Sequence, residues 1–323
     1  MAAILTVAAP VFAVIVMGYL AGRAGLLGEG AATALNAFVS LFALPLLFFG
    51  TLARTPVSAV LNPPLLVAFT LIVLATFGIG MLSTRIVRGR EPVAPGLAAM
   101  SLQGVASSWG NVAYMGIPLC LAAFGDASLA PAMLAVIVPS VVAMVPGVLL
   151  VELEIAAGHR PFETFLRAGG KALRNPLPVS IIAGLFVSAV GIDLPVPLGK
   201  WVDLVAAAAA PSALFAIGLF LCETSLAQGW SMRGGLAEAG LATLIKLALQ
   251  PMIAAIALPW LVDPQSTAAK VVVLMSALPT SANAFVLAKQ FDISVEQNRT
   301  AVLLSTALSV VTVSALLVWL NVT

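Results

Sequence analysis

Apolar residues fill this chain in long runs, each closed by a short cluster of charged residues or of Gly and Pro. An α-helix needs about 20 residues to cross a bilayer, and measured against that length the runs predict ten spans. They cover Ala3–Ala21, Ala31–Leu52, Pro64–Thr84, Pro95–Phe124, Ser128–Val151, Asn175–Gly191, Trp201–Leu221, Ala239–Val262, Ala268–Gln290 and Arg299–Leu320. No basic residue precedes the first run and no cleavage stretch follows it, so it is expected to persist as a helix. The fourth run contains GNVAYMGIPL (Gly110–Leu119) and the ninth contains ALPTSANAFVLAKQ (Ala277–Gln290). A proline inside a helix deletes one backbone hydrogen bond and clashes with the carbonyl four residues earlier, at about 3 kcal/mol. Lipid offers the freed groups no water, so such a site persists only where protein or a cavity serves them. Pro118 and Pro279 are therefore expected to break their helices, with Asn111 and Asn283 supplying amides to the freed groups or to a ligand. Gly110 and Gly116 leave room for a neighbouring chain or a substrate.

The two halves of the chain echo each other. A shift of 166 residues lays Gly18 on Gly184, Gly25-Leu26 on Gly191-Ile192 and Pro45 on Pro211, and a shift of 167 lays Phe124 on Phe291. Two five-span units are expected, residues 1–153 and 175–323, joined by a charged linker at 154–174, EIAAGHRPFETFLRAGGKALR. An odd number of spans inverts the second unit, which is the architecture of many secondary transporters. The two broken helices would then meet near the midplane. Each would present a helix N-terminus carrying about +0.5 of an elementary charge, a pair of ends suited to an anion such as a carboxylate.

Composition fixes the solvent. The chain of 323 residues is 61% apolar and 9% charged, with a mean hydropathy of +1.12, against roughly 25% charged in soluble domains. An integral membrane protein follows, with the lipid bilayer as its surroundings. A net charge of +2 is too small to point to nucleic acid. Cys120 and Cys222 lie in apolar runs and read as core side chains, and the single histidine, His159, sits in the charged linker. No metal, cofactor or catalytic residue is expected from this set. Taking the loops alternately, one side receives eleven of the fifteen Lys and Arg residues, the other receives Arg54, Lys200 and Lys270, and Lys246 falls inside a span. The positive-inside rule places the richer side in the cytoplasm and both termini outside, in a cytoplasmic (inner) membrane.

The segments LFALPLLFF, GNVAYMGIPL, NPLPVSIIAGL, APSALFAIGLFL, KLALQPMI and LPTSANAFVLAKQFD run in that order along the whole chain. Together they resemble the auxin efflux carrier family, whose bacterial members include malonate and other carboxylate permeases. The resemblance implies ten helices with the fourth and ninth crossed. It also implies a scaffold from helices 1, 2, 6 and 7, and a mobile transport domain from helices 3–5 and 8–10. Asn111, Pro118, Pro279 and Asn283 fall in the stretches where that family carries an Asn and a Pro in each half, although here the second half has its Pro first. Plant members have a long loop between halves where this chain has only residues 154–174, so auxin itself is not implied.

Other polar residues each have two readings. Lys246 sits roughly 12 Å inside its helix at 1.5 Å per residue. It serves either as a counter-charge for an anion or as a stem that snorkels to the interface. Gln103, Ser107 and Ser108 precede the first break, and Thr280 and Ser281 lie in the second. These residues either bind a ligand or repair backbone. Trp109 and Tyr114 flank Asn111 as pocket walls or as packing. Gly18 and Gly22 have the spacing of a close helix contact, which could serve a homodimer. All 13 acidic residues fall in loops or at span ends, which leaves the coupling ion open.

The expectation is thus an all-α membrane protein that moves small organic anions, mono- or dicarboxylates, by elevator-type alternating access. Its substrate would meet Asn111, Asn283, Gly110, Tyr114, Thr280, Ser281 and Lys246. The alternatives are a sodium-coupled carrier like the bile-acid symporters, a channel lined by the same crossing, or a ligand sensor. An enzyme is not expected, because no nucleophile–base pair or paired carboxylates lie in the spans.

Overall fold

The computed structural model describes residues 4–28, 30–88, 95–155, 176–228 and 235–322, and regular structure among these is helical. In chain order the helical segments are α1 Thr6–Arg23, α2 Ala31–Ala53, α3 Val57–Arg88, α4 Leu97–Ser108, α5 Val112–Phe124, α6 Asp126–Ile155, α7 Pro176–Val190, α8 Val196–Glu223, α9 Leu236–Trp260, α10 Thr267–Ser276, α11 Ala282–Phe291 and α12 Val295–Trp319. Seven of them, α1, α2, α3, α6, α8, α9 and α12, are long and apolar enough to cross a membrane. The fourth run of the sequence is divided between α4 and α5, and the ninth between α10 and α11. The sixth is the 15-residue α7. Most of the expected linker, residues 154–174, lies outside the described residues.

Proline acts differently from the sequence expectation. Pro118 does not interrupt its helix; it lies inside α5, two residues after the π-helical turn Val112–Gly116. The other π turns repeat this spacing. Ile4–Ala8 precedes Pro10, Val39–Ala43 precedes Pro45, Ser140–Met144 precedes Pro146, and Ile245–Leu249 precedes Pro251. A wider turn takes the carbonyl that a proline ring would strike out of the regular ladder. The helix is locally relaxed rather than cut. Pro279, by contrast, lies between α10 and α11, outside helix.

Helix association in lipid depends on close backbone approach at small residues. α1 packs on α8, and α2 packs on α7 and α8. A Cβ added at Gly18 would lie 2.2 Å from Phe215 O, and one at Gly218 would lie 2.1 Å from Ile15 O. At the α2–α7 contact, a Cβ at Gly184 would lie 2.9 Å from Phe49 O. Gly18 and Gly184 are 166 residues apart, and so are Phe215 and Phe49. The same contact is therefore made twice, with the roles of the two halves exchanged. Gly22 faces Cys222 of α8, so the small-residue stripe of α1 is occupied within the chain, and it offers no face to a second copy.

The remaining helices gather around the two divided ones. α3 packs on α4, α4 on α6, and α9 and α11 on α12. α8 touches the start of α5, and α12 touches the start of α1.

Gly218→Val in detergent-solubilised protein is expected to lower Tm markedly, because overpacking a close contact costs about 1–3 kcal/mol. Gly78→Ala, with nothing within 4 Å of the new Cβ, is expected to leave Tm unchanged or raised. Equal Tm values for the two variants would contradict the close α1–α8 packing.

Candidate functional site at the paired helix breaks

α4 ends at Ser108, and the chain turns extended at Trp109 before α5 resumes after Asn111. α10 ends at Ser276, and α11 resumes after an extended Ser281. The two connections lie antiparallel, with Gly110 bridged to Thr280. Asn111 N donates to Pro279 O at 2.8 Å, and Ser281 N donates to Trp109 O at 3.0 Å. Each break thus satisfies backbone groups that the other exposes, which answers how two interrupted helices survive without water. Thr280, fully buried, adds two more bonds: its N–H donates to Ser305 Oγ at 3.0 Å, and its Oγ1 donates to Ala106 O at 2.9 Å.

The four helix ends at the crossing are treated unequally. Helix C-termini carry unpaired carbonyls and about −0.5 of an elementary charge. Here both are covered by side chains of α9. Lys246 Nζ donates to Ser276 O, the end of α10, at 2.7 Å, and also to Gln250 Oε1. Gln250 Nε2 donates to Ser108 O, the end of α4, at 3.1 Å, and to Thr76 Oγ1 at 3.3 Å. Lys246 and Gln250 stand four apart on α9, one helical turn, so a single face of that helix closes both negative ends. The N-termini are left barer. α5 starts with no side-chain cap, and α11 has only Ser281 Oγ, which accepts from Asn283 N at 3.3 Å. What remains unserved at the crossing is positive.

Gly110, Asn111, Pro279, Thr280 and Ser281 come together in the paired breaks, and Lys246 joins them. A Cβ on Gly110 would lie 2.8 Å from Lys246 Cε and 2.9 Å from its Nζ, so only glycine admits the lysine here. Lys246 is 1% exposed and does not snorkel. Asn111 is buried, whereas Asn283 stands exposed in the first turn of α11. Tyr114 points its hydroxyl across to α2, donating to Asn36 Oδ1 at 2.8 Å. Among the residues weighed before the first break, Ser108 supplies a backbone acceptor, and Gln103 Nε2 donates to Glu238 O at 2.7 Å. Gln250 and Asn36 were missed from sequence. Gln250 carried a usable signal, because it follows Lys246 by one turn in an otherwise apolar run and precedes Pro251. Asn36 carried none, since its partner lies 78 residues away.

Interrupted helices paired at their breaks form a known way of building transport sites, and comparison with other sequences agrees. The family model described as membrane transport protein matches residues 3–317. The chain belongs to the auxin efflux carrier family. Among curated relatives of this carrier, the "Putative malonate transporter" of Rhizobium meliloti (strain 1021) is 31% identical over 323 residues, covering 98% of this chain and 96% of that protein. The carrier is therefore a multi-pass membrane transport protein.

Lys246→Met would leave Ser276 O and Gln250 Oε1 without their donor in a buried site, at a cost of about 1–3 kcal/mol for each orphaned group. The expected result is a clear drop in Tm, which adding Gln250→Leu does not restore, because Ser108 O then loses its donor. An unchanged Tm in Lys246→Met would contradict the capping role.

Proposed function

We propose that this carrier is a secondary transporter of small mono- or dicarboxylates, with its substrate held at the paired breaks. One observation carries the reading: side chains of α9 cover both negative helix ends at the crossing, while α5 starts with no side-chain cap and α11 with only that of Ser281 Oγ. A carboxylate there would accept from the first backbone N–H groups of α5 and α11 and from the amides of Asn111 and Asn283. Lys246 would contribute charge from behind Gly110. It has three N–H bonds and two described acceptors. The malonate named for the relative is a dicarboxylate, and it is the first substrate to test.

The reading includes a movement. Ten membrane passages arranged as two inverted five-helix units account for the exchanged contacts Gly18–Phe215 and Gly184–Phe49. In that arrangement α1, α2, α7 and α8 form the scaffold, and the remaining helices carry the breaks past it as an elevator. The Tyr114–Asn36 bond spans the two groups and would have to open during the movement. Both termini would lie outside the cytoplasmic membrane, by the Lys and Arg distribution.

Reconstituted into proteoliposomes, the protein is expected to exchange labelled malonate in saturable counterflow, which a channel does not give. Asn111→Ala is expected to weaken uptake by about ten- to a hundredfold, the loss of one or two hydrogen bonds to a charged group. Asn283→Ala is expected to act in the same direction. Parent-like transport of every accepted carboxylate by both variants would overturn the site.

A further inference from the structure

The crossing touches α2 and α8 away from their middles. These two helices have distinct ends. At one, Arg54, just beyond α2, pairs with Asp203, near the start of α8, at 2.6 Å. At the other, the first turns of α2 pack on the later part of α8. Two side-chain contacts join the crossing to these helices, and both lie at this second end. Tyr114, in the first turn of α5, donates its hydroxyl to Asn36 Oδ1 at 2.8 Å. Asn36 is five residues from the start of the 23-residue α2, about 9 Å short of its middle at 1.5 Å per residue. Phe285, in the first turn of α11, packs on Phe220 with ring centroids 6.1 Å apart. Phe220 is three residues from the end of α8. One contact comes from each divided helix, and the two agree.

Burial around the crossing is lopsided. Of the four half-helices, α4 is buried over residues 101–108, α5 over 115–120 and α10 over 271–276. α11 differs. Asn283, Val286, Lys289 and Gln290 are exposed, and Asn283, Val286 and Gln290 have the spacing of one helix face. That face runs from the crossing to the end of α11. An amide at its head would be costly in hydrocarbon, and Lys289 and Gln290 make its far end polar, so the face suits a water-filled track.

We propose that this arrangement is the inward-facing state of the carrier, open to the cytoplasm along α11, and that the Tyr114–Asn36 hydrogen bond is the latch that holds it there. The proposal rests on the elevator reading above, with α2 and α8 in the scaffold. Its sidedness rests on Lys and Arg: the connection before α2 carries Arg23 and the end of α11 carries Lys289, both on the richer side. The half-helices that lead from the crossing to the other face, α5 and α10, are buried and shut that side. To open there, the crossing has to travel toward the Arg54–Asp203 end. That movement breaks the bond to Asn36 and parts the two phenylalanine rings. Asn36 is thus a positioning residue, acting on the site through Tyr114. Its bond biases the ratio of the two states by about two- to tenfold, the net worth of one hydrogen bond.

Asn283→Cys supplies a reporter on the exposed face, while the native Cys120 and Cys222 are buried and stay silent. A membrane-impermeant thiol reagent is applied to intact cells, which present the outer face, and to inverted vesicles, which present the cytoplasmic one. The reporter is expected to react roughly tenfold faster in the vesicles, the signature of a dominant inward state. Asn36→Leu and Tyr114→Phe are each expected to lower this inside-to-outside ratio by about two- to tenfold. Their combination should lower it no further, because both delete the same bond. A general loss of packing would not move the ratio. A ratio unchanged in both variants would overturn the latch, and faster labelling from outside in the parent reporter would overturn the inward assignment. Equal labelling from both faces in all four forms, the behaviour of an open channel, would overturn the transporter reading together with the latch. The expected ratios in a protein that shows no malonate counterflow would overturn the carboxylate site and leave the latch standing.

Discussion

Two backbone hydrogen bonds, Asn111 N to Pro279 O and Ser281 N to Trp109 O, hold together a pair of helix breaks that lipid would otherwise forbid. Either break alone would leave several N–H and C=O groups without partners in a medium that offers none. Paired, they share the cost. The pairing also brings four helix ends within a few residues of one another, a concentration of partial charge that α9 resolves by placing Lys246 and Gln250 over the two negative ends. The chemistry of the site follows from that asymmetry. Neutral helix ends would offer nothing to an anion, and four uncapped ends would largely cancel.

The same constraint sorts the rest of the molecule. α9 has to present an ammonium and an amide one turn apart, deep in an apolar bundle, and its π turn before Pro251 sets their direction. Gly110 is needed so that the lysine can come up behind the break. α12 has to carry Ser305 to receive Thr280 N. Outside this cluster the helices are held by glycine-mediated approach, Gly18 and Gly218 between α1 and α8 and Gly184 between α7 and α2. The first group is polar and its positions are fixed by bonding. The second is apolar and closely packed, and it joins to one another the four helices that form the scaffold of the proposed movement.

Much of this was legible in the residues. The runs of apolar sequence, with a Pro and an Asn in mid-span in both the fourth and the ninth, identified both interruptions. The cause assigned to the first interruption was wrong. Pro118 looked like the breaking residue, but a π turn absorbs it, as π turns absorb Pro10, Pro45, Pro146 and Pro251. The break falls earlier, where the pairing with the second connection outweighs helix continuity. Pairing between residues so far apart leaves no local trace, and for the same reason the helix ends that Lys246 and Gln250 cap, and the Tyr114–Asn36 contact, could not be read, although the spacing of Lys246 and Gln250 was visible. The small-residue stripe of α1 was correctly identified as a contact surface, but its partner, α8, lies within the same chain.

The most direct measurement is a density map of the protein in a lipid nanodisc, at a resolution that traces the main chain through residues 106–118 and 274–286. The account predicts that both helices are interrupted, with Gly110 beside Thr280 and Lys246 reaching the end of α10. Continuous helices through Gly110 and Thr280, or two breaks lying apart with Lys246 turned toward the lipid, would contradict it.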